Sequence, residues 1–162
     1  MGLSGMQFFG EALTFNTTLQ MIDLEYNDIG EDGVAVLADG LSKNSSVQTL
    51  WLGGNSFGDG GAERLADVLS SPQSNLRELS LRWNGITQSG ARSISFALSH
   101  GRSHLEVLWM GGNPLGDRGV AYLSEMLGTH DSTLEILSLD FTGMTDDGAS
   151  ALFLSLEENA TL

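Results

Sequence analysis

The stretch LRELSLRWN at residues 76–84 decides the fold. Leu76, Leu79, Leu81 and Asn84 spell L-x-x-L-x-L-x-x-N, and near-copies stand at 19–27 (LQMIDLEYN), 47–55 (VQTLWLGGN), 105–113 (LEVLWMGGN) and 134–142 (LEILSLDFT). Successive copies begin 28, 29, 29 and 29 residues apart. A period of that length marks a solenoid, in which each unit buries its apolar side against its neighbours.

The skeleton Leu19, Ile22, Leu24 and its counterparts predicts a short strand in each unit, stacked beside its copies as a parallel sheet. Asn27, Asn55, Asn84 and Asn113 follow the third skeleton residue, where a side-chain amide satisfies backbone groups as the chain leaves the strand. Thr142 replaces the asparagine in the fifth unit, so the ladder should weaken there. The second half of each unit has helical spacing: Leu37/Leu41, Leu65/Leu69, Ile94/Leu98, Leu123/Leu127 and Leu152/Leu156 are i, i+4 pairs. Gly33, Gly61, Gly90, Gly119 and Gly148 are expected just ahead of these helices. Acidic residues such as Glu31, Asp32, Asp59, Asp117, Asp146 and Asp147 fall where a helix N-terminus favours negative charge.

The reading is thus one solenoid domain: residues 1–18 form a helical half-repeat, and 19–161 form five units starting at 19, 47, 76, 105 and 134. Neither end carries a recognisable polar cap, which such arrays need for solubility. The expectation is a segment of a longer protein, or self-association through an open edge.

Composition narrows the partners. The chain has 162 residues and a net charge of −14, from 21 acidic against 7 basic side chains. Nucleic acid and anionic membrane are excluded as partners of such a surface, and a basic or mixed-charge protein is favoured. The absence of Cys suits a reducing compartment, hence the cytoplasm. No apolar run approaches the roughly 20 residues that cross a bilayer. Asn16, Asn44 and Asn159 open glycosylation sequons and are read as loop residues.

The 28 to 29 residue unit, with Gly-Ala/Val-x-x-Leu in its helix, resembles the ribonuclease-inhibitor class of leucine-rich repeats. The repeat regions of NOD-like receptors and of Ran GTPase-activating protein are similar to it. The resemblance implies an α/β horseshoe, a right-handed β-α solenoid with parallel strands on the concave face and helices on the convex face. It also implies binding on the concave side.

The residues between skeleton positions are expected on that side. Units two and four carry Trp51 and Trp109 at the fifth position and Gly-Gly at the seventh and eighth; units one, three and five carry Tyr26, Trp83 and Phe141 at the eighth. The aromatic lattice, with Asp23, Glu25, Arg82 and Asp140 beside it, is the candidate partner-binding surface. The alternative is that the rings shield the sheet by lying over neighbouring glycines. Arg77 and Arg82 can pair with Glu78, Glu106 or a carboxylate of the partner, and a local structural pair is the expected role.

No catalytic residues, cofactor or metal site are assigned. The Gly-rich stretches 53–61 and 111–119 lack the Gly-Lys-Ser/Thr end of a phosphate loop. His100, His104 and His130 fall in or near the loops closing the third and fourth helices and are read as solvated, and Asp140, Asp146 and Asp147 lack calcium-loop spacing. The function read from sequence is a non-catalytic protein-interaction scaffold. The alternatives are a regulatory domain for a GTPase or other enzyme, and a structural segment of a larger receptor or oligomer.

Overall fold

A computed structural model of the chain describes residues 2–100, 103–128, 133–157, 159 and 162. The alternating skeleton folds into three-residue strands: β1 (Met21–Asp23), β2 (Thr49–Trp51), β3 (Glu78–Ser80), β4 (Val107–Trp109) and β5 (Ile136–Ser138). They form one parallel sheet in chain order. Its register sets Ile22, Leu50, Leu79, Leu108 and Leu137 side by side. Helices alternate with the strands: α1 (Leu3–Leu13) precedes β1, and α2 (Gly30–Leu41), α3 (Gly58–Ser70), α4 (Gln88–His100), α5 (Gly116–Leu127) and α6 (Asp146–Leu156) follow successive strands. The chain is a β-α solenoid with strands on the concave face and helices on the convex face.

The core lies between sheet and helices. Leu50, Leu52, Leu79, Leu81, Leu108 and Met110 are buried, as are Leu37, Leu41, Leu65, Leu69, Ile94, Leu123 and Leu127. Leu19 is exposed, and Leu137, Leu139, Leu152 and Leu156 are only half-buried. Leu19 precedes β1, which among the described residues pairs only with β2, and the other four belong to the fifth unit, whose described neighbour is the fourth alone. Ahead of β1, α1 buries Met6, Gly10 and Leu13. Gly10 packs on α2, where a side-chain carbon at Gly40 would come within 2.4 Å of the Gly10 carbonyl oxygen.

The five glycines expected ahead of the helices instead lie in their first turns. Each first turn holds a glycine there because an apolar residue at the eleventh position, Ile29, Phe57, Ile86, Leu115 or Met144, lies against it. A Cβ at Gly61 would sit 2.5 Å from the Phe57 ring, and one at Gly33 2.4 Å from Ile29.

In the first four units the turn from strand to helix carries the asparagine ladder. Asn55 Nδ2 donates to the Leu24 and Leu52 carbonyls at 2.9 Å, and its Oδ1 accepts from the Asn27 and Ile29 amides. Asn84 donates to Leu52, Leu81 and Arg82 and accepts from Asn55 N. Asn113 donates to Leu81 and Met110 and accepts from Asn84 N and Ile86 N. Asn27, half-buried in the first unit, donates to Glu25 O. Thr142 has only its hydroxyl, which donates to Leu139 O at 2.9 Å. The ladder therefore thins at the fifth unit, as the shorter side chain requires.

The loop reading of Asn16, Asn44 and Asn159 holds, with one qualification from burial. Asn44 is 5% exposed and its amide donates to Leu13 O and Asn16 O. It is a structural bracket with no room for a glycan.

Candidate functional site

Backbone conformation arranges the concave face. The eighth position is left-handed in every unit, with φ of 55° at Tyr26, 69° at Gly54, 56° at Trp83, 74° at Gly112 and 54° at Phe141. Glycine adopts this region freely, whereas a side-chain-bearing residue there costs about 1–2 kcal/mol. The turn aims the eighth side chain outward over the following unit. A Cβ at Gly54 would lie 2.4 Å from the Tyr26 ring, and one at Gly112 2.2 Å from the Trp83 ring. Both rings thus lie over a glycine, as the shielding alternative expects. They nonetheless stay open: Tyr26 is 73%, Trp83 48% and Phe141 78% exposed.

Strand spacing alone would put rings on alternate units roughly 10 Å apart. Trp83 and Phe141 instead approach to 5.9 Å between centroids, tilted by 33°. Gly112, between them, has no side chain to hold them apart, so they lean together.

Trp51 and Trp109 behave differently. Register places Ser80 between them. Both indole Nε1–H groups donate to Glu78 Oε1, each at 3.1 Å. The tryptophans are half-buried, and Ser80 beneath them is 4% exposed. One carboxylate therefore fixes two rings.

Charged side chains cross the glycine floor. Arg82 donates Nη1 to Asp140 Oδ1 at 2.9 Å and to Ser138 Oγ at 3.1 Å, and Nη2 to Asp140 Oδ2 at 2.5 Å. The fork spans two units over Gly111, where a Cβ would collide with the Asp140 carboxylate. Local pairing of the arginines is thus correct, but the partner of Arg82 is Asp140, not Glu78 or Glu106, because the glycines let it reach past the adjacent strand. Arg77 does pair with Glu106. The Ser138 hydroxyl and the Arg82 guanidinium hold the Asp140 carboxyl below the usual carboxylate range. Glu25 folds over Gly53 and accepts from Ser80 Oγ at 3.1 Å. Asp23 accepts from the Glu25 amide.

The structure therefore gathers Asp23, Glu25, Tyr26, Trp51, Arg82, Trp83, Trp109, Asp140 and Phe141 on one surface. Sequence reasoning missed the role of Glu78 and the left-handed eighth position, although glycine at that position in units two and four was the available signal. Elsewhere, His100 and His104 are exposed, His100 stacking on Phe96 with centroids 4.4 Å apart; His130 lies outside the described residues. A groove of about 670 Å³ opens on the helical side among Asp67, Arg92, Phe96 and Tyr122, away from the aromatic face. No helix among the described residues is long and apolar enough to cross a membrane.

No curated protein matches the chain. Among solved structures it is similar to a tropomodulin C-terminal domain from Caenorhabditis elegans, at 14% identity and TM-score 0.71, over 98% of this chain and 93% of that one. It is also similar to leiomodin-1 actin-binding site 2, at 19% identity and TM-score 0.73, over 93% of this chain and 86% of that one. These likenesses establish the fold. The family model described as Leucine Rich repeat matches residues 15–38, 43–66, 73–95, 102–124 and 130–153, and with five matches in phase with the five strands, the chain belongs to the leucine-rich repeat family.

Proposed function

We propose that this chain is a non-catalytic, cytoplasmic scaffold that receives a basic or mixed-charge protein on its concave strand face. The observation that carries the reading is the exposure of Tyr26, Trp83 and Phe141 on a face whose charged groups are mostly carboxylates. Large aromatic rings left open to water on one surface are characteristic anchors of protein interfaces. The same face holds Asp23, Glu25, Glu78, Glu106, Glu135 and Asp140 against Arg77 and Arg82, and both arginines are already paired. A net-acidic aromatic surface attracts a cationic partner and speeds its encounter. That the leiomodin-1 domain is named for actin binding supports the use of such a solenoid as a protein platform.

The test is affinity capture from source-cell lysate with the intact chain and with a folded variant carrying Trp51→Ala, Trp83→Ala and Trp109→Ala. A protein retained by the first and lost by the second, identified by mass spectrometry, is the expected result. Equal recovery by both overturns concave-face binding.

A further inference from the structure

We propose that the contact row within the concave face is the eighth position of the odd units, Tyr26, Trp83 and Phe141, and that it takes an arginine-bearing segment of the partner; this rests on the concave-face reading above. Three observations converge on it.

The fold does not need these rings. Units two and four close the same turn with Gly54 and Gly112 in the same left-handed conformation. A ring at this position bears conformational strain that glycine avoids and still remains about half or more exposed. The neighbouring glycine under Tyr26 and Trp83, and the mutual contact of Trp83 and Phe141, cover only part of these rings. Trp51 and Trp109, by contrast, are half-buried and have both indole N–H groups satisfied by Glu78, so they build the face instead of reading a ligand.

The chemistry beside the rings selects a guanidinium. The seventh position carries a charge next to each ring: Glu25 beside Tyr26, Arg82 beside Trp83 and Asp140 beside Phe141. In the second half of the face the guanidinium is internal, with Arg82 clasping Asp140 and Ser138. In the first half the corresponding carboxylate, Glu25, receives only the Ser80 hydroxyl, and no cation of the described residues pairs with it or with Asp23 or Glu78. An open ring next to a carboxylate without a cation accommodates arginine best, because the planar guanidinium lies on the ring while its fork meets the carboxylate. Lysine, a compact and strongly hydrated charge, gains less. A second copy of this chain is disfavoured as occupant by the net charge of −14.

The probe is an octapeptide of alternating Arg and Gly, titrated into the full chain at low ionic strength by calorimetry, with Lys-Gly and Glu-Gly octapeptides alongside. The Arg-Gly peptide should bind saturably and several-fold more tightly than Lys-Gly, and the Glu-Gly peptide should not bind. The variant Tyr26→Gly/Trp83→Gly/Phe141→Gly should stay folded, since glycine is native at this position in two units, with a thermal midpoint lower by no more than a few degrees for the lost Trp83–Phe141 contact, and should lose about tenfold in affinity. Trp51→Phe/Trp109→Phe should bind within about twofold of the parent. Glu25→Gln provides a variant with no change of packing and should weaken the Arg-Gly peptide while narrowing its advantage over Lys-Gly. Full affinity in the triple-glycine variant, equal affinity for the Arg and Lys peptides, or no saturable binding overturns the proposal. In each of those cases loss of the captured partner by the tryptophan-to-alanine variant would leave the concave-face reading standing, so the two failures are distinguishable.

Discussion

At the eighth position of each unit the same left-handed turn is occupied by two kinds of residue, and the glycines are held to their identity more tightly than the rings. Gly112 has φ of 74° and sits beneath Trp83, so a methyl group there meets both backbone strain and a ring 2.2 Å away. Gly30 has a comparable φ of 66°, but nothing within 4 Å of where its Cβ would be. The pair separates the two costs. Gly30→Ala should destabilise by about 1 kcal/mol, the conformational cost alone. Gly112→Ala should destabilise by about 2–4 kcal/mol, since Trp83 must also be displaced. Urea unfolding of both variants measures the difference, and equal losses would mean that the Trp83 ring does not rest on the glycine in solution.

At the scale of the element, the helix starts are joined from one unit to the next by carboxylates. Asp59, in the first turn of α3, accepts from Thr87 N and Oγ1 at 2.7 Å and from Gly90 N at 2.9 Å, at the start of α4. Asp117 in α5 does the same for α6, accepting from Thr145 N, Thr145 Oγ1 and Gly148 N. Sequence reading placed acids at helix starts and was right, but it could assign them only to their own helices. The bonds run 28 to 31 residues onward because stacking sets consecutive helix starts side by side. The Thr145 backbone bond, then its hydroxyl, hold the Asp117 carboxyl below its ordinary value of 3.8. Folded protein thus binds this proton less readily than unfolded chain, and the stability so gained is present above 3.8 and lost as pH falls through the lower folded value. Asp117→Asn should be less stable than the parent at neutral pH, and the gap should close as pH drops from about 5 to about 2. Urea midpoints across that range provide the measurement; a gap independent of pH would make the bracket's contribution one of shape and not of charge.

Over the whole molecule, the fold was legible because a 28 to 29 residue period carries its own proof, each skeleton leucine being repeated in phase. The candidate face was legible as a set of outward positions for the same reason. Its internal contacts were not: Glu25 to Ser80 and Arg82 to Asp140 are 55 and 58 residues apart. They join every second unit, and a single-unit register does not reveal them until Gly53 and Gly111 are known to clear the path. The two-unit rhythm of rings and glycines is the sequence trace of those contacts. Charge is the property that belongs to no unit singly. With −14 net and four ion pairs among the described residues, all between side chains at least 30% exposed, repulsion summed over the solenoid should outweigh attraction within pairs. Salt screens both, but the long-range repulsion has more to lose at a Debye length that falls from about 30 Å at 0.01 M to about 8 Å at 0.15 M. The thermal midpoint should therefore rise by a few degrees over that range of NaCl, as followed by circular dichroism. A fall instead would mean that the Arg77–Glu106 and Arg82–Asp140 pairs dominate the electrostatics, and that the concave face is held shaped by its arginines before any partner arrives.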